Sequence, residues 1–335
     1  MMAKNTELVR ATNEGLYCEP GGFYIDPWRP VDKALITHGH SDHARWGSKE
    51  YHATEKSIPI LNLRLGADLP VTPYKFGQKF KMGNTWVSFH PAGHILGSSQ
   101  VRIEYKDQVW VASGDYKRTP DPSCDPFEVV PCDTFISEAT FALPVYQWDS
   151  GEVTAQKIYN WWQGDQDRPS LIFCYALGKA QRILAELTRF TDRTVYLHGA
   201  MESLTQIYRD AGIKMLPTAS VQDFEKGHSF KGDLILAPPS AHRSPWMKRF
   251  KEPQTAFASG WMAVRGTRRR KGYEKGFVLS DHADWNELNQ TITETKASTV
   301  YLTHGRTDVL QRHLEEQGTT VKLFHTEYEA EEEAS

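Results

Sequence analysis

Between Lys33 and Ala44 the chain reads KALITHGHSDHA, and four side chains able to bind divalent metals, His38, His40, Asp42 and His43, fall within six residues. Imidazole nitrogen and carboxylate oxygen are donors that zinc, manganese or iron accept. Ala34, Leu35 and Ile36 read as a buried strand that stops at Thr37 and opens into a turn. On an extended loop alternate side chains point the same way, so His38 and His40 can share one ion. Asp42 and His43 then project toward a neighbouring point, and the spacing suggests a pair of metals. The bland alternative is a polar surface loop, and the buried strand in front of it argues against that.

Five further candidates each sit at or just beyond an apolar strand: His94 in HPAGHILGS, Asp115 closing VWVASGD, Glu138 closing TFISE, His282 in VLSDHAD and His304 closing VYLTHG. A lone histidine after a strand is more often structural. Recurrence changes that, because strand ends on one edge of a sandwich converge and loops there carry sites. His52, His198, His228, His242, His313 and His325 match no motif and read as structural or surface residues, and His90 reads as packing on the strand before His94.

The elements that must position these residues change character along the chain. Up to Phe141 the pattern is short strands broken by Gly, Pro and Asp: FYI, ALIT, WVSFHPAGH, VRIEY, VWVASGD and DTFISEATF. VRIEY and VWVASGD, separated by Lys106-Asp107, read as a hairpin, and the whole as a sheet-rich sandwich. From about Pro144 to Lys271 strands alternate with helices. EVTAQKIYNWWQ, LGKAQRILAELTRF and AMESLTQIYRDAG read as helices between the strands SLIFCYA, TVYLHG, LILAPPS and TAFASG. That alternation predicts a small parallel sheet covered by helices. GFVLSDHADWNEL and STVYLTHG then restore short strands ending in histidines, so the chain reads as one domain with a second inserted into it.

Length and composition agree with a globular protein. The 335 residues allow a substantial core, and 39% hydrophobic with 24% charged residues is ordinary for such a chain. No apolar run approaches the roughly 20 residues needed to span a bilayer, and MMAKNTELVRATNEG lacks the apolar core of a signal peptide. No membrane and a cytoplasmic location are expected. Cys18, Cys124, Cys132 and Cys174 form no C-x-x-C pair and read as buried thiols rather than disulfides or zinc ligands. The net charge of −3 hides an uneven distribution: without the five glutamates of the tail Glu327 to Ser335, 39 basic residues stand against 37 acids. That tail reads as a solvated end.

THGHSDH, AGH at His94, SGD at Asp115, SEATF at Glu138, SDHAD at His282 and LTHG at His304 occur in the order of the metallo-β-lactamase-fold nucleases. The chain resembles their β-CASP branch, whose inserted domain lies between the motifs at Glu138 and His282, and CYALGKAQ resembles the first strand–helix unit of that insert. ASGWMAVRGTRRRKGYEKGFVLSDHADW resembles the bacterial ligase-associated DNA exonucleases, often described as mRNA 3′-end processing factors. The resemblance runs from Gly22 to Arg306. It implies an αββα sandwich of α/β class, with residues 1–143 and 273–326 forming the metallo-β-lactamase domain, 144–272 the inserted β-CASP α/β domain and 327–335 the acidic tail.

Carried over position by position, it implies two divalent ions, zinc or manganese, with iron as another fit. One is held by His38, His40 and His94, the other by Asp42, His43 and His304, and Asp115 bridges them. Asp26, in FYIDP, would orient the histidines from behind. Asp42 and Asp115 count as catalytic through the metals; Glu138 would position His282, and His282 would protonate the leaving oxygen.

The implied activity is exonucleolytic phosphodiester hydrolysis at DNA ends in repair, on single strands and in the 5′ to 3′ direction. The implied neighbours are an ATP-dependent DNA ligase and a helicase. A histidine at position 304 is shared with RNA-processing members, so an RNA-processing nuclease is the alternative, and a small-molecule ester or thioester hydrolase a more distant one. Expected phosphate contacts are Lys117, Arg118, Lys179, Arg182, Arg243 and the basic run Arg265, Arg268, Arg269 and Arg270 leading to Lys271. Tyr116 or Trp261 could stack on a base.

Overall fold

The computed structural model describes residues 7–264, 272–324 and 326. Arg265, Arg268, Arg269, Arg270 and Lys271, together with the acidic tail, lie outside the described residues. The chain divides into two compact units. The first comprises residues 1–118, 125–144 and 282–334, the second 119–124 and 145–281.

In the first unit, period-two alternation sends one face of each strand to a shared core and the other to a helical layer. On Gln108–Ala112, Trp110 and Ala112 enter the core between two sheets, whereas Val109 and Val111 face the other way. Ile136 and Tyr301 repeat the inward choice, and Phe135, Val300 and Leu302 the outward one. The six-stranded sheet runs Val9–Ala11, Leu16–Cys18, Phe23–Ile25, Lys33–Leu35, Glu50–Thr54, Val71–Tyr74. It contributes Cys18, Phe23, Ile25 and Leu35 to the shared core. The seven-stranded sheet runs Thr320–Leu323, Thr299–Thr303, Thr134–Glu138, Gln108–Ala112, Ser99–Tyr105, Thr85–Pro91, Phe80–Met82.

Its outer face is covered by the helices Trp285–Thr295, through Leu288 and Ile292, and Asp308–Glu316, through Leu310 and Leu314. The outer face of the six-stranded sheet packs Ala34, Tyr51 and Ala53 on Leu61 of the helix Ile58–Leu65. The first unit is therefore layered helix, sheet, sheet, helix. The helix Ile58–Leu65 is absent from the strand-and-turn reading of that region. Pro59 breaks its apolar pattern, yet a proline in the first helical turn loses no hydrogen bond.

The expected hairpin forms: Ser99–Tyr105 pairs antiparallel with Gln108–Ala112, and Lys106 takes the left-handed turn conformation at φ 53. Gln108–Ala112, Thr134–Glu138 and Thr299–Thr303 are mutually parallel, and Thr85–Pro91 points the same way through two antiparallel steps. Their carboxyl ends share one edge.

The second unit is built on an all-parallel sheet in the order Thr218–Ser220, Val195–Leu197, Leu234–Ala237, Ser170–Phe173, Gln254–Ala258, Lys275–Phe277. Its three central strands are buried throughout, as expected of a parallel sheet covered on both faces. Helices Gly151–Gln163, Lys179–Glu186 and Gly199–Asp210 stand where the helical periodicity of the sequence puts them, the last followed by Gly212 at φ 83. The chain returns to the first unit at His282 rather than at 273, because Lys275–Phe277 still pairs with Gln254–Ala258. Residues 119–124 join the second unit, where Asp121 Oδ2 lies 3.1 Å from Arg182 Nε. Among the described residues no helix is long and apolar enough to cross a membrane.

Candidate metal centre

Strand polarity assembles the site in the first unit. Asp26 follows Phe23–Ile25, His38 follows Lys33–Leu35, His94 follows Thr85–Pro91, Asp115 follows Gln108–Ala112, Glu138 ends Thr134–Glu138 and His304 follows Thr299–Thr303. All are delivered by the carboxyl ends of strands. Among the described residues, His38, His40, His94 and Asp115 offer donor atoms within 4.8 Å of one another, and so do Asp115, Glu138 and His282. Asp115 belongs to both groups.

The distances define the first group. His38 Nε2 and His94 Nε2 lie 3.2 and 3.0 Å from His40 Nδ1, and 3.4 and 3.7 Å from Asp115 Oδ2. His38 and His94 are buried and His40 half-buried. Beyond Asp115, His43 Nε2 lies 3.4 Å from the same Oδ2 and 3.6 Å from Asp42 Oδ2, and the His43 ring stacks on His304 at 5.4 Å. Asp42, His43 and His304 thus gather beside Asp115, more loosely than the first group.

Hydrogen bonding behind the rings decides which nitrogen faces the site. Asp26 Oδ1 accepts from the Thr37 amide at 2.8 Å, and Asp26 Oδ2 accepts from Thr37 Oγ1 at 2.6 Å and from His43 Nδ1 at 2.8 Å. With its own proton given to Asp26, Thr37 Oγ1 accepts from His38 Nδ1 at 3.0 Å. His304 repeats the device: Thr303 Oγ1 donates to the Ser137 carbonyl and lies 3.0 Å from His304 Nδ1. Each Nδ1 therefore carries the proton, which leaves the Nε2 lone pair for a ligand. His43 Nε2 is buried and has no hydrogen-bond partner. That nitrogen, 3.4 and 3.6 Å from two carboxylates, sits where a proton or a metal cation is favoured.

Electrostatics follow from crowding. Burial alone would strip the charge from His43, but Asp115, Asp42 and Asp26 around it hold its pKa well above the ordinary imidazole value. Burial and the nearby His43 push His38 well below it, and the same pair of causes lowers His304. Burial would raise Asp115, yet His43, His282 and His38 hold it well below the usual carboxylate range. Asp42 is likewise lowered, with burial opposed chiefly by His43.

Glu138 and His282 form the neighbouring pair. Glu138 Oε1 accepts from the Tyr116 amide at 2.7 Å, and Oε2 from His282 Nδ1 at 2.8 Å. Glu138 is buried, whereas the His282 side chain is 20% exposed, so the imidazole bridges a fixed acid and solvent. Its ring lies 4.7 Å from that of His94.

Three contributors escaped sequence reasoning. Thr37 ties His38 to Asp26, and its signal was the repeated Thr-His-Gly at residues 37–39 and 303–305. Gly114 (φ 56) lets the backbone before Asp115 approach Thr37, since a Cβ there would lie 2.7 Å from Thr37 Cβ and Oγ1. Gly93 (φ 73), before His94, does the same against the Lys117 carbonyl, 2.2 Å from where its Cβ would fall.

Several expected phosphate contacts require correction. Lys117 is buried, and Arg118 pairs with Glu294 at 2.7 Å. Lys179 is buried and pairs with Asp281 at 2.8 Å. Arg182 is buried between Asp121 and Asp281, at 3.1 and 3.5 Å. The charges of Arg118, Lys179 and Arg182 neutralise carboxylates of their own unit. Arg243 is exposed in left-handed backbone at φ 59. Tyr116 is fully buried and cannot stack on a base; Trp261 is half-buried and meets Tyr146 edge-on at 5.6 Å. His90 lies beside Ser88 and Glu128, at 3.0 and 3.1 Å. All four cysteines are free thiols; Cys18, Cys132 and Cys174 are buried as expected, whereas Cys124 is only half-buried.

No protein-family profile matches the chain. It is 27% identical over 310 residues to a protein of Opitutus terrae described as "Probable DNA ligase"; the match covers 91% of this chain and 30% of that protein, so the chain spans under a third of its relative's length. In structure it resembles a crystallised protein of unknown function from Enterococcus faecalis, with a TM-score of 0.61 and 14% sequence identity over 88% of this chain and 79% of that one. The fold is thus shared with a solved structure, and the chain is an α/β protein with side-chain groups that could hold a metal ion.

Proposed function

We propose that this chain is a metal-dependent nuclease of the metallo-β-lactamase fold with a β-CASP insertion, acting on DNA ends. The observation that carries the reading is the sharing of Asp115 between the His38, His40, His94 group and the Glu138, His282 group. The helix–sheet–sheet–helix layering supports the fold assignment. DNA enters through the Opitutus terrae relative, whose printed description concerns DNA and which contains this chain's match within a much longer polypeptide. The same relation supports a functional association with a DNA ligase; the ligase activity named for the whole relative is not assigned to this chain.

The donor set suits zinc, manganese or iron, being all imidazole and carboxylate. His38, His40 and His94 would hold one ion, Asp42, His43 and His304 a second, with Asp115 between them. Such ions, when bound, neutralise phosphoryl charge and make water acidic enough to act as a nucleophile near neutral pH. The chain's own residues do the rest. Thr37, Thr303 and Asp26 fix the imidazole tautomers. The Tyr116 amide fixes Glu138, and Glu138 holds the proton of His282 on Nδ1, which turns Nε2 outward. A protonated His282 Nε2 is placed to give its proton to the leaving 3′ or 5′ oxygen as a general acid. Buried Glu138 stabilises that imidazolium.

The test is digestion of DNA strands labelled separately at the 5′ and 3′ ends, beside matched RNA, with manganese or zinc and with Asp42→Ala as the blank. Stepwise release of nucleotides from DNA, absent in the variant, is the expected result, with 5′ to 3′ polarity. Cleavage of RNA alone would move the protein to RNA processing. Cleavage of neither, with metal bound, would overturn the nuclease reading.

A further inference from the structure

The second unit carries a basic cavity that the metal centre does not use. It has a volume of about 910 Å³ and lies at the amino ends of the central strands of the parallel sheet, where Pro169 leads into Ser170, Lys231 toward Leu234 and Lys251 toward Gln254. Lys179 and Arg182, expected from sequence to touch phosphate, follow the carboxyl end of Ser170–Phe173 and are consumed by Asp281 and Asp121. The cavity is at the opposite end of the same strand.

Six arginines and lysines line it against two carboxylates, Asp167 and Glu252. The two arginines build the wall. Arg168 Nε donates to the Glu252 carbonyl at 2.8 Å, and its Nη2 lies 3.1 Å from Glu274 Oε1. Arg249 Nη2 donates to the carbonyls of Val221 and Phe224, at 2.9 and 2.8 Å. Phe230 and Phe250, buried and 5.2 Å apart, form the floor. The four lysines, Lys226, Lys231, Lys248 and Lys251, are exposed, and among the described residues none makes an ion pair or a side-chain hydrogen bond. Four unpaired ammonium groups converging on one concavity repel one another, an arrangement that a polyanion relieves.

We infer that this cavity is a second nucleic-acid contact, in which Lys226, Lys231, Lys248 and Lys251 hold the phosphodiester backbone of the strand. The choice of polymer rests on the proposed action on DNA. The aromatic floor is covered, and the His228 ring already packs tilted against Phe224 at 4.5 Å and edge-on against Phe230 at 4.6 Å, so contact is to phosphate rather than to bases. Binding here is therefore indifferent to sequence and strongly dependent on salt.

Counterion release sets the size of the effect, with a slope of about −0.7 in log K against log salt for each phosphate neutralised on a single strand. Changing all four lysines to alanine removes about 2.8 from the slope of fluorescent oligothymidylate binding. The all-arginine variant retains the wild-type slope, and hydrolysis of bis(p-nitrophenyl) phosphate, too small to reach a second contact, stays unchanged in both. An unchanged slope in the alanine variant would overturn the inference while leaving the nuclease reading intact. So would displacement of the oligonucleotide by polyglutamate at equal charge concentration, which would mark a general anion surface. A reduced slope in a protein that cleaves no DNA would sustain the contact and sink the nuclease.

Discussion

Asp26→Asn is the most discriminating perturbation of the metal centre, because it is nearly isosteric and reverses one proton. Asp26 accepts three hydrogen bonds, from the Thr37 amide, Thr37 Oγ1 and His43 Nδ1. An asparagine keeps its carbonyl on the Thr37 amide and turns an NH2 toward His43 Nδ1, which must then accept. The proton moves to Nε2, and the lone pair that faces Asp42 and Asp115 is lost. Removing such a partner from a metal-ligating histidine typically costs 10–100-fold in metal affinity, about 1.4–2.8 kcal/mol. Loss of one charge-assisted hydrogen bond gives a similar figure, about 1.5–3 kcal/mol. One effect opposes this. Asp26 helps keep His43 protonated, so losing its charge eases deprotonation and favours the metal. Asp115 and Asp42 also hold that proton, so the opposing effect is partial, and it vanishes in alkaline solution, where His43 is already neutral. Thr37 Oγ1 meets the same NH2 and can then no longer give its proton there, so the tautomer of His38 is disturbed too. Competition against a calibrated chelator in alkaline buffer should therefore show weakened metal loading. Equal affinity of variant and wild type for both ions would refute the tautomer argument.

Gly114→Ala should destabilise the chelator-treated protein by about 2–5 kcal/mol, combining left-handed strain with overpacking against Thr37. Gly22→Ala, at φ 67 with open space around it, carries the strain alone and is the control in the same urea melts. His282→Ala should lower turnover on DNA by about 10²–10⁴-fold with metal content unchanged by elemental analysis; loss of metal would instead make His282 a ligand. Metal affinity should rise with pH, because the carboxylates around His43 hold its proton above the ordinary imidazole pKa and that proton must leave before Nε2 can bind. Proton release in a weakly buffered metal titration should be largest on the acid side, and pH-independent release would count against it. Arg182→Ala should cost about 3–5 kcal/mol in the denaturation of the intact chain, because it leaves Asp121 and Asp281 buried without their shared partner. A variant as stable as wild type would return Arg182 to the list of accessible cations.

The strand ends are legible in the sequence because apolar runs and chelating side chains differ so sharply in chemistry. Asp115 after VWVASG and Glu138 after TFIS announce both an element and its limit. The helices of the second unit are legible because their apolar spacing is helical. What one-dimensional patterns conceal is pairing between distant segments. Lys179 and Arg182 follow a strand as a phosphate-binding pair would, but Asp281 lies 102 residues away from Lys179 in sequence and meets it at 2.8 Å. The same blindness hid Thr37, whose hydroxyl matters only because Asp26 comes back to it across 11 residues. The basic cavity was invisible for the converse reason: Lys226, Lys231, Lys248 and Lys251 form no run, and only the sheet gathers them.

Asp115 shows why a site of this kind can be assembled before a metal arrives. Its Oδ2 lies 3.4 Å from the Nε2 atoms of both His38 and His43 and 3.7 Å from that of His94, so one carboxylate oxygen faces three imidazoles in a buried place. Unpaired carboxylates at such density would repel strongly. The proton on His43 answers that repulsion, holding Asp115 and Asp42 ionised while His38 and His304 stay neutral. A divalent ion that displaces this proton replaces one positive charge by two and finds lone pairs already aimed, since the tautomers are set by Thr37, Thr303 and Asp26 rather than by the ion. The geometry thus makes binding an exchange of cations in a preformed cradle. Amide hydrogen exchange at residues 36–43 and 113–116 should accordingly change little on loading, whereas broad protection of both segments would mean that the ion builds the site.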